Sequence, residues 1–185
     1  MLAAGGSSRL GRAKQLLPYR GTTLLGWVMA TARACRFDQL VVALGGSARD
    51  VRLGVDLSGA DVVVNDAYGS GCSSSIAAAI GALDPRADVL VLLLGDQPGV
   101  AAATVRRLLA GRGDAPLAVC RYADGRGHPF AFAREVFGDL AGLHGDKAVW
   151  KLLDRRAGEV AEVEVPGPVP RDVDTWEDYR AVLAT

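Results

Sequence analysis

Short apolar runs alternate with amphipathic stretches along the whole chain, and this alternation predicts the secondary structure. The strongest run, residues 89–94 (VLVLLL), is apolar at every position, which is typical of a central parallel strand covered by helices on both faces. Residues 129–132 give a weaker strand signal. The other runs that predict strands are 40–44, 62–64, 117–120 and 160–165.

Helices are predicted between these strands. Segment 23–34 carries an apolar stripe at helical spacing, and segment 73–83 is rich in alanine with serines at its start. Further helices are predicted at 101–109, 147–153 and 175–183. Strands that alternate with helices imply a three-layer α/β/α fold with a mostly parallel sheet. Because no internal repeat or low-complexity linker interrupts the pattern, we expect a single domain spanning residues 1–185.

Composition narrows the possible partners. Half of the 185 residues are hydrophobic, and 21 Lys and Arg residues balance 21 Asp and Glu residues, so bulk charge attracts neither nucleic acid nor a membrane surface. No apolar run approaches the roughly 20 residues that a bilayer requires, and the N-terminus has no signal-peptide pattern. The three cysteines are widely spaced, which disfavours a disulfide framework. We therefore expect a cytoplasmic protein with reduced thiols.

The most informative segment is the glycine-rich loop at residues 2–14, LAAGGSSRLGRAK. Glycines let the backbone approach a ligand closely, and exposed backbone N–H groups can form an anion-binding nest. Arg9 and Lys14 add fixed positive charge that suits phosphate oxygens. The segment lacks both the P-loop and the G-x-G-x-x-G spacing. It is either a triphosphate cradle or a plain glycine-rich surface turn.

The strand that should precede this loop is short. In an α/β fold of this kind the first glycine-rich loop follows a full strand, whereas only residues 1–4 come before it here. The pattern leaves two possibilities: a chain start that is shorter than usual, or a first strand that is compressed.

Two acidic sites could hold a metal ion. Asp96 follows the 89–94 strand directly, at the edge where α/β sheets bind ligands, and its carboxylate suits Mg²⁺. The alternative for Asp96 is a turn or helix cap. Asp172 and Asp174 alternate on a predicted extended segment and would point the same way. Either Thr175 or Asp174 could cap the last helix, and this capping role still leaves Asp172 and Asp174 free to bind a metal ion.

Taken together, the motifs resemble those of one family. LAAGGSSRLGRAK, KQLLP, GDQP, GRGHPF, LHGDKAVWKLL and DVDTWEDY occur in the order found in molybdenum cofactor cytidylyltransferases, a branch of the MobA-like nucleotidyltransferases. The resemblance implies a Rossmann-like, GT-A-like nucleotidyltransferase fold. It also implies transfer of CMP from CTP to the terminal phosphate of the molybdenum cofactor (molybdopterin), with release of pyrophosphate. Leu10 stands where the family usually has methionine, which is a mild departure.

The resemblance also implies roles for individual residues. Mg²⁺ would be bound by Asp96 and Asp174, and the catalytic set would be Arg9, Lys14 and Asp96. The loop backbone would hold the base and ribose, while the two basic residues hold phosphates. Ser73 and Ser74 either contact the base or simply cap a helix. The expected nucleotide-binding residues are Leu2, Ala3, Ala4, Gly5, Gly6, Ser7, Arg9, Lys14, Ser73 and Ser74.

The acceptor side is expected in two further motifs. In GRGHPF, Arg126 and His128 would face the acceptor phosphate, and in HGDK, Asp146 and Lys147 would line the same side. For each of the four residues, a capping or packing role is the alternative.

Other functions stay open at this point. The chain could use GTP on the same cofactor, or transfer a nucleotide to another phosphorylated acceptor. A protein of another class would bind the molybdenum cofactor without catalysis and deliver it to a molybdenum hydroxylase apoenzyme.

Overall fold

The computed structural model describes residues 1–145 and 147–185, and a seven-stranded sheet forms its centre. The strand order is β5-β4-β1-β6-β8-β7-β9, in which Leu2 of β1 bridges to Leu94 beyond the end of β6. β8 runs antiparallel to its two neighbours, and the other pairings are parallel. The strands are β1 (Leu2–Ala3), β4 (Val41–Leu44), β5 (Asp61–Val64), β6 (Val89–Leu92), β7 (Leu117–Tyr122), β8 (Gly125–Ala133) and β9 (Val160–Glu164).

Helices cover both faces of the sheet, which confirms the predicted three-layer arrangement. Side chains of α3, α5 and α6 pack on one face, and those of α1, α2 and α4 pack on the other. The helices are α1 (Leu24–Ala34), α2 (Ala48–Gly54), α3 (Cys72–Ile80), α4 (Ala102–Arg112), α5 (Phe137–Ala141), α6 (Ala148–Arg155) and α7 (Trp176–Leu183). None of them, in the part of the chain that the structure describes, is long and apolar enough to cross a membrane.

Successive residues of a strand point to opposite faces of the sheet and therefore enter different apolar cores. In β8, Phe130 and Phe132 enter the core beneath α3, α5 and α6, whereas Ala131 enters a smaller core that includes Leu108 of α4. Residues 117–120 of β7 and 130–132 of β8 are thus buried on both faces of the sheet, and this explains why they read as continuous apolar runs rather than as alternating ones.

The first strand is short but central. Backbone hydrogen bonds join Leu2 N–H to the Leu93 carbonyl at 2.9 Å and Gly95 N–H to the Leu2 carbonyl at 2.8 Å. On its other side β1 pairs with Ala43 and Leu44 of β4. Two residues of strand are thus enough to fix the start of the glycine-rich loop between two neighbouring strands.

A small hairpin and the C-terminal segment close one end of the sheet. The hairpin joins β2 (Pro18–Tyr19) to β3 (Thr22–Thr23) through Arg20 and Gly21, both at positive φ, as a tight hairpin turn requires. Val173 and Val182 pack with Tyr19 and other apolar side chains in a core of their own. This contact anchors the segment that carries Asp172 and Asp174.

Truncation of Leu108 should test the core that α4 forms against the sheet. Leu108 is fully buried, so Leu108→Ala is expected to lower the free energy of unfolding by about 2–5 kcal/mol, through lost burial and the cavity left behind. Leu53→Ala is the matched control, because Leu53 is 81% exposed and its loss should change stability by less than about 0.5 kcal/mol. Denaturant unfolding measures both, and equal effects would contradict this account of the core.

Candidate functional site

Three separate segments meet at the carboxyl edge of the sheet. The glycine-rich loop follows β1, and Asp96 follows its parallel neighbour β6, so the two lie side by side. The C-terminal segment crosses this edge, where Val173 N–H donates to the Asp96 carbonyl at 3.1 Å. Residues about 80 and 160 positions away from the loop are thereby brought to it.

Lys14 links the three segments by ion pairs. Its ammonium contacts the Asp96 carboxylate and lies 2.8 Å from Asp174 Oδ1. Arg9 reaches the other oxygen of the same carboxylate, Asp174 Oδ2, also at 2.8 Å. Lys14 is only 7% exposed, and its side chain passes so close to Gly5 that a Cβ there would lie 3.3 Å from Lys14 Cε. Gly5 therefore leaves room for the buried cation.

The carboxylates of this cluster favour positively charged groups. Burial lowers the pKa of Lys14, but the charges and hydrogen bonds of Asp96 and Asp174 outweigh burial and raise that pKa above its ordinary value. Burial raises the pKa of Asp172 to about 6, and the neighbouring negative charge of Asp96 adds to the shift. Arg9 and Lys14, two cations, thus lie near three carboxylates, and the raised Asp172 pKa reflects burial first and the neighbouring negative charge second.

The glycine-rich loop is held by its own hydrogen bonds. Ser7 adopts a positive φ of 51°, and its Oγ accepts from Lys14 N–H at 3.0 Å. Buried Gln15 donates to the Ala3 carbonyl at 2.7 Å and to the Gly5 carbonyl at 3.2 Å. Sequence reasoning gave Gln15 no role, although it follows Lys14 directly in the KQLLP motif. Its side-chain amide donates to two carbonyls of the loop, so Gln15 helps to fix the loop's backbone conformation.

The carboxylates of this cluster fit a hard divalent cation. No group of three or more His, Cys, Asp or Glu side chains is placed to hold a metal ion within the described residues. The chain would thus offer the oxygens of Asp96 and Asp174, which already bind the Lys14 ammonium. One or two carboxylates, completed by waters and phosphate oxygens, are typical of nucleotide-bound Mg²⁺.

The predicted base-contacting serines are engaged within the protein. Buried Asn65 donates to Ser74 Oγ at 2.8 Å and to Ser75 Oγ at 2.9 Å, and its Oδ1 accepts from Ala67 N–H. Ser73 is buried at the start of α3. The hydroxyl of Ser74 therefore supports the preceding loop. A base contact from Ser73 or Ser74 stays a prediction.

The GRGHPF segment lies at the same edge of the sheet. Phe130 pairs with Leu92 in antiparallel register, so the residues that precede Phe130 extend beyond β6 towards Asp96. His128 is packed against Phe130, with ring centroids 4.0 Å apart, and burial lowers its pKa to about 3. A neutral, stacked imidazole offers no charge to a phosphate, which favours the packing alternative, and a contact between His128 and the acceptor stays a prediction.

The other predicted acceptor residues are placed differently. Arg126 forms an ion pair with Asp154 at 2.8 Å and lies over the Trp150 ring at 5.7 Å. Lys147 is exposed at the start of α6, and Asp146 lies outside the described residues. Acceptor binding by Arg126, Lys147 and Asp146 stays a prediction.

Asp178 and Asp174 of the C-terminal segment make different contacts. Thr175 and Asp178 form a capping box at the start of α7, in which Asp178 N–H donates to Thr175 Oγ1 at 3.2 Å. Asp174, one residue earlier, is left to face Lys14 and Arg9.

Replacing Asp172 by asparagine should stabilise the metal-free protein at pH 8 but not near pH 3, which lies below both the folded-state pKa and the ordinary pKa. The folded-state pKa of about 6 lies above the ordinary 3.8, so the ionised carboxylate destabilises the fold above pH 6, and this cost vanishes where both states are protonated. We expect Tm to rise by about 2–4 °C at pH 8 in EDTA, which corresponds to about 1 kcal/mol after solvent screening. Calorimetry measures it, with exposed Asp114→Asn as control. An equal or lower Tm at pH 8 would contradict the assignment.

Solved structures closely match this fold. Rv0371c from Mycobacterium tuberculosis H37Rv is 54% identical over 100% of this chain and 95% of that chain, with a TM-score of 0.94. Its complex with manganese matches at 51% identity over 100% and 96% of the two chains, with a TM-score of 0.89. A nucleotidyl transferase from Methanothermobacter is 24% identical over 99% and 94%, with a TM-score of 0.81, and confirms the predicted GT-A-like fold.

Sequence comparison extends these relationships. Nicotine blue oxidoreductase from Paenarthrobacter nicotinovorans is 36% identical over 193 residues, which cover 99% of this chain and 94% of the relative. The family model for the MobA-like NTP transferase domain matches residues 1–160. The chain therefore belongs to the MobA-like NTP transferase family and is a nucleotidyltransferase of that family.

Proposed function

We propose that this nucleotidyltransferase transfers CMP from CTP to the terminal phosphate of the molybdenum cofactor. The observation that carries the proposal is the ion cluster of Arg9, Lys14, Asp96 and Asp174 beside the glycine-rich loop. It joins cations suited to phosphate oxygens with carboxylates suited to a divalent metal. The choice of CTP and of the acceptor rests on the GRGHPF and LHGDKAVWKLL motifs and on their resemblance to cytidylyltransferases.

The reaction requires the substrates to be positioned and their charge to be neutralised, and it requires no protein nucleophile. An oxygen of the acceptor phosphate bonds to the α-phosphorus of CTP while the bond from that phosphorus to the bridging oxygen breaks, and pyrophosphate leaves. The attacking phosphate monoester is already anionic at neutral pH, so no general base is needed. The chain then has to hold both substrates in line and neutralise charge. Arg9 and Lys14 supply the positive charge for the triphosphate.

Asp96 and Asp174 are the proposed Mg²⁺ ligands. The manganese complex of Rv0371c supports divalent-metal binding in a relative that is 51% identical. When bound, Mg²⁺ would neutralise charge on the triphosphate and on the departing pyrophosphate. Lys14 contacts the same carboxylate oxygens in the described structure, so its ammonium and a divalent cation compete for them. Release of Lys14 from the aspartates would free it for phosphate oxygens.

The acceptor is proposed to lie on the β8 side of the site. Packed His128 and the neighbouring Trp150 support an apolar wall for the pterin, whereas Arg126 and Lys147 supply the nearby positive charge. The expected recipient of the finished cofactor is a molybdenum hydroxylase apoenzyme in the cytoplasm. The apoenzyme takes no part in the proposed transfer itself, whereas the cofactor is its second substrate.

A second candidate function follows from one relative. The 36% identity with nicotine blue oxidoreductase extends over 99% of this chain, so an oxidoreductase activity is also proposed for testing. The two functions differ in product: only the transferase releases pyrophosphate, and only the oxidoreductase changes the oxidation state of nicotine blue.

A pyrophosphate-release assay with purified molybdenum cofactor tests the proposal. With Mg²⁺ we expect turnover with CTP well above that with GTP or ATP, and none in EDTA. Asp96→Ala should lower kcat by about 10²-fold or more, since a metal ligand contributes several kcal/mol at the transition state. Asp114→Ala, which removes an exposed carboxylate beyond α4, is the control.

Each other outcome of that assay points elsewhere. A preference for GTP would contradict cytidylyl transfer. Normal activity in Asp96→Ala would contradict the metal assignment. Cofactor binding without nucleotide turnover would favour a delivery protein, and a change in the oxidation state of nicotine blue without release of pyrophosphate would favour the oxidoreductase.

Lys14→Met should tighten metal binding when no nucleotide is present. Loss of the ammonium removes the cation that competes for Asp96 and Asp174, so Mn²⁺ affinity is expected to rise about tenfold, while CTP affinity falls. Lys14→Arg keeps the charge and should leave Mn²⁺ affinity near the wild-type value. Arg12→Met, at an exposed position of the same loop, is the control. Electron paramagnetic resonance of free Mn²⁺ measures the affinity, and unchanged or weaker binding to Lys14→Met would contradict the competition.

A further inference from the structure

Tyr68 lies on glycines from two other loops. It begins the short 3-10 turn Tyr68–Ser70 between β5 and α3. A Cβ at Gly46 would lie 2.5 Å from Tyr68 Oη, and one at Gly45 would lie 2.9 Å from Tyr68 Cγ. At Gly6 the corresponding distance, to Tyr68 Cε2, is 3.5 Å. The ring could not take this position if residues 45 and 46 carried side chains.

These glycines place Tyr68 beside the nucleotide loop. Gly6 follows β1, and Gly45 follows β4, the parallel neighbour of β1. A Cβ at Gly45 would also lie 2.4 Å from the Ala4 carbonyl oxygen, so the two loops are in direct contact. Asp96 follows β6 on the opposite side of β1. Tyr68 and the ion cluster therefore flank the glycine-rich loop, about two strand spacings, or roughly 10 Å, apart.

The loop that carries Tyr68 is fixed by side-chain hydrogen bonds. The Asn65 side chain ties the start of the loop to α3 through Ser74 and Ser75, and its Oδ1 accepts from Ala67 N–H at 3.0 Å. Ser70 Oγ donates back to the Ala67 carbonyl at 2.7 Å. Tyr68 is nevertheless 39% exposed, which is unusual for a large side chain packed on two loops. The ring is thus held in place with part of its surface open to solvent.

We propose that the Tyr68 ring is the stacking platform for the nucleobase of the bound nucleoside triphosphate. This inference rests on the proposed nucleotidyl transfer and specifies where the base lies: on the β4 side of the loop, with the triphosphate on the β6 side at Lys14. Every base has a π face, so stacking would contribute affinity for any nucleobase, and CTP is the substrate in which we test it.

Calorimetric titration with CTP and with inorganic tripolyphosphate separates stacking from phosphate binding. Tyr68→Ala should weaken CTP binding about 5- to 100-fold and leave tripolyphosphate affinity unchanged, because only CTP carries a base. Tyr68→Phe keeps the ring and should bind CTP as the wild type does. Gly46→Ala should weaken CTP binding selectively as well, since its methyl group would occupy the position of the Tyr68 hydroxyl.

The outcomes are distinguishable from failure of the proposed function. Equal losses for CTP and tripolyphosphate in Tyr68→Ala would overturn the platform, because they would show a general disturbance of the loop. Unchanged CTP affinity in that variant would overturn it too. A wild-type protein that binds tripolyphosphate but no nucleoside triphosphate would overturn both the platform and the proposed function. Circular dichroism of each variant confirms that the fold is intact.

Discussion

The ammonium of Lys14, held between Asp96 and Asp174, is the interaction on which the site depends. A buried charge is costly unless it is paired, so Lys14 at 7% exposure requires both carboxylates to remain near. The same requirement draws together the loop after β1, the end of β6 and the segment before α7. If a divalent cation binds the two carboxylates and a triphosphate binds the ammonium, these new contacts must compensate for the lost attraction between Lys14 and the aspartates. The proposed coupling of metal and nucleotide binding follows from that exchange.

Apolar packing determines where Asp174 is presented. Val173 is fully buried in the core that Leu10, Leu17 and Val182 share, and its N–H donates to the Asp96 carbonyl. The neighbouring aspartates therefore project at the site because the residue between them is anchored in the protein. The family model ends at residue 160, whereas the Rv0371c structures match the whole chain. The C-terminal segment that carries Asp174 thus lies within the part of the chain that matches the solved relatives.

The two sides of the glycine-rich loop have different chemistry. On the β6 side lie charged groups suited to phosphate and metal, and on the β4 side lies the Tyr68 ring against Gly45 and Gly46. A nucleoside triphosphate has the same polarity, with an ionic end and an aromatic end. The central position of β1 lets one loop serve both, because its parallel neighbours end at the same edge.

Much of the fold was determined by the sequence alone. Apolar runs such as 89–94 identified the strands, since strands that pack between helices are rich in apolar residues. Motif order also identified the family and brought Arg9, Lys14, Asp96 and Asp174 forward as one candidate site. The direction of β8 could not be read from its residues, because apolar composition does not specify which way a strand pairs.

Only the tertiary structure decided how the polar side chains are used. The sequence left His128 either facing a phosphate or packed in the protein, and its contact with Phe130 and the lowering of its pKa by burial favour the packing alternative. Gln15 and Tyr68 carried no signal, because their roles come from carbonyls and glycines in segments that pairing brings near. Lys14 could be assigned to phosphate by type, yet its contact with two distant aspartates required the fold. Residue type gives the chemistry that is possible, and long-range packing determines which charges meet.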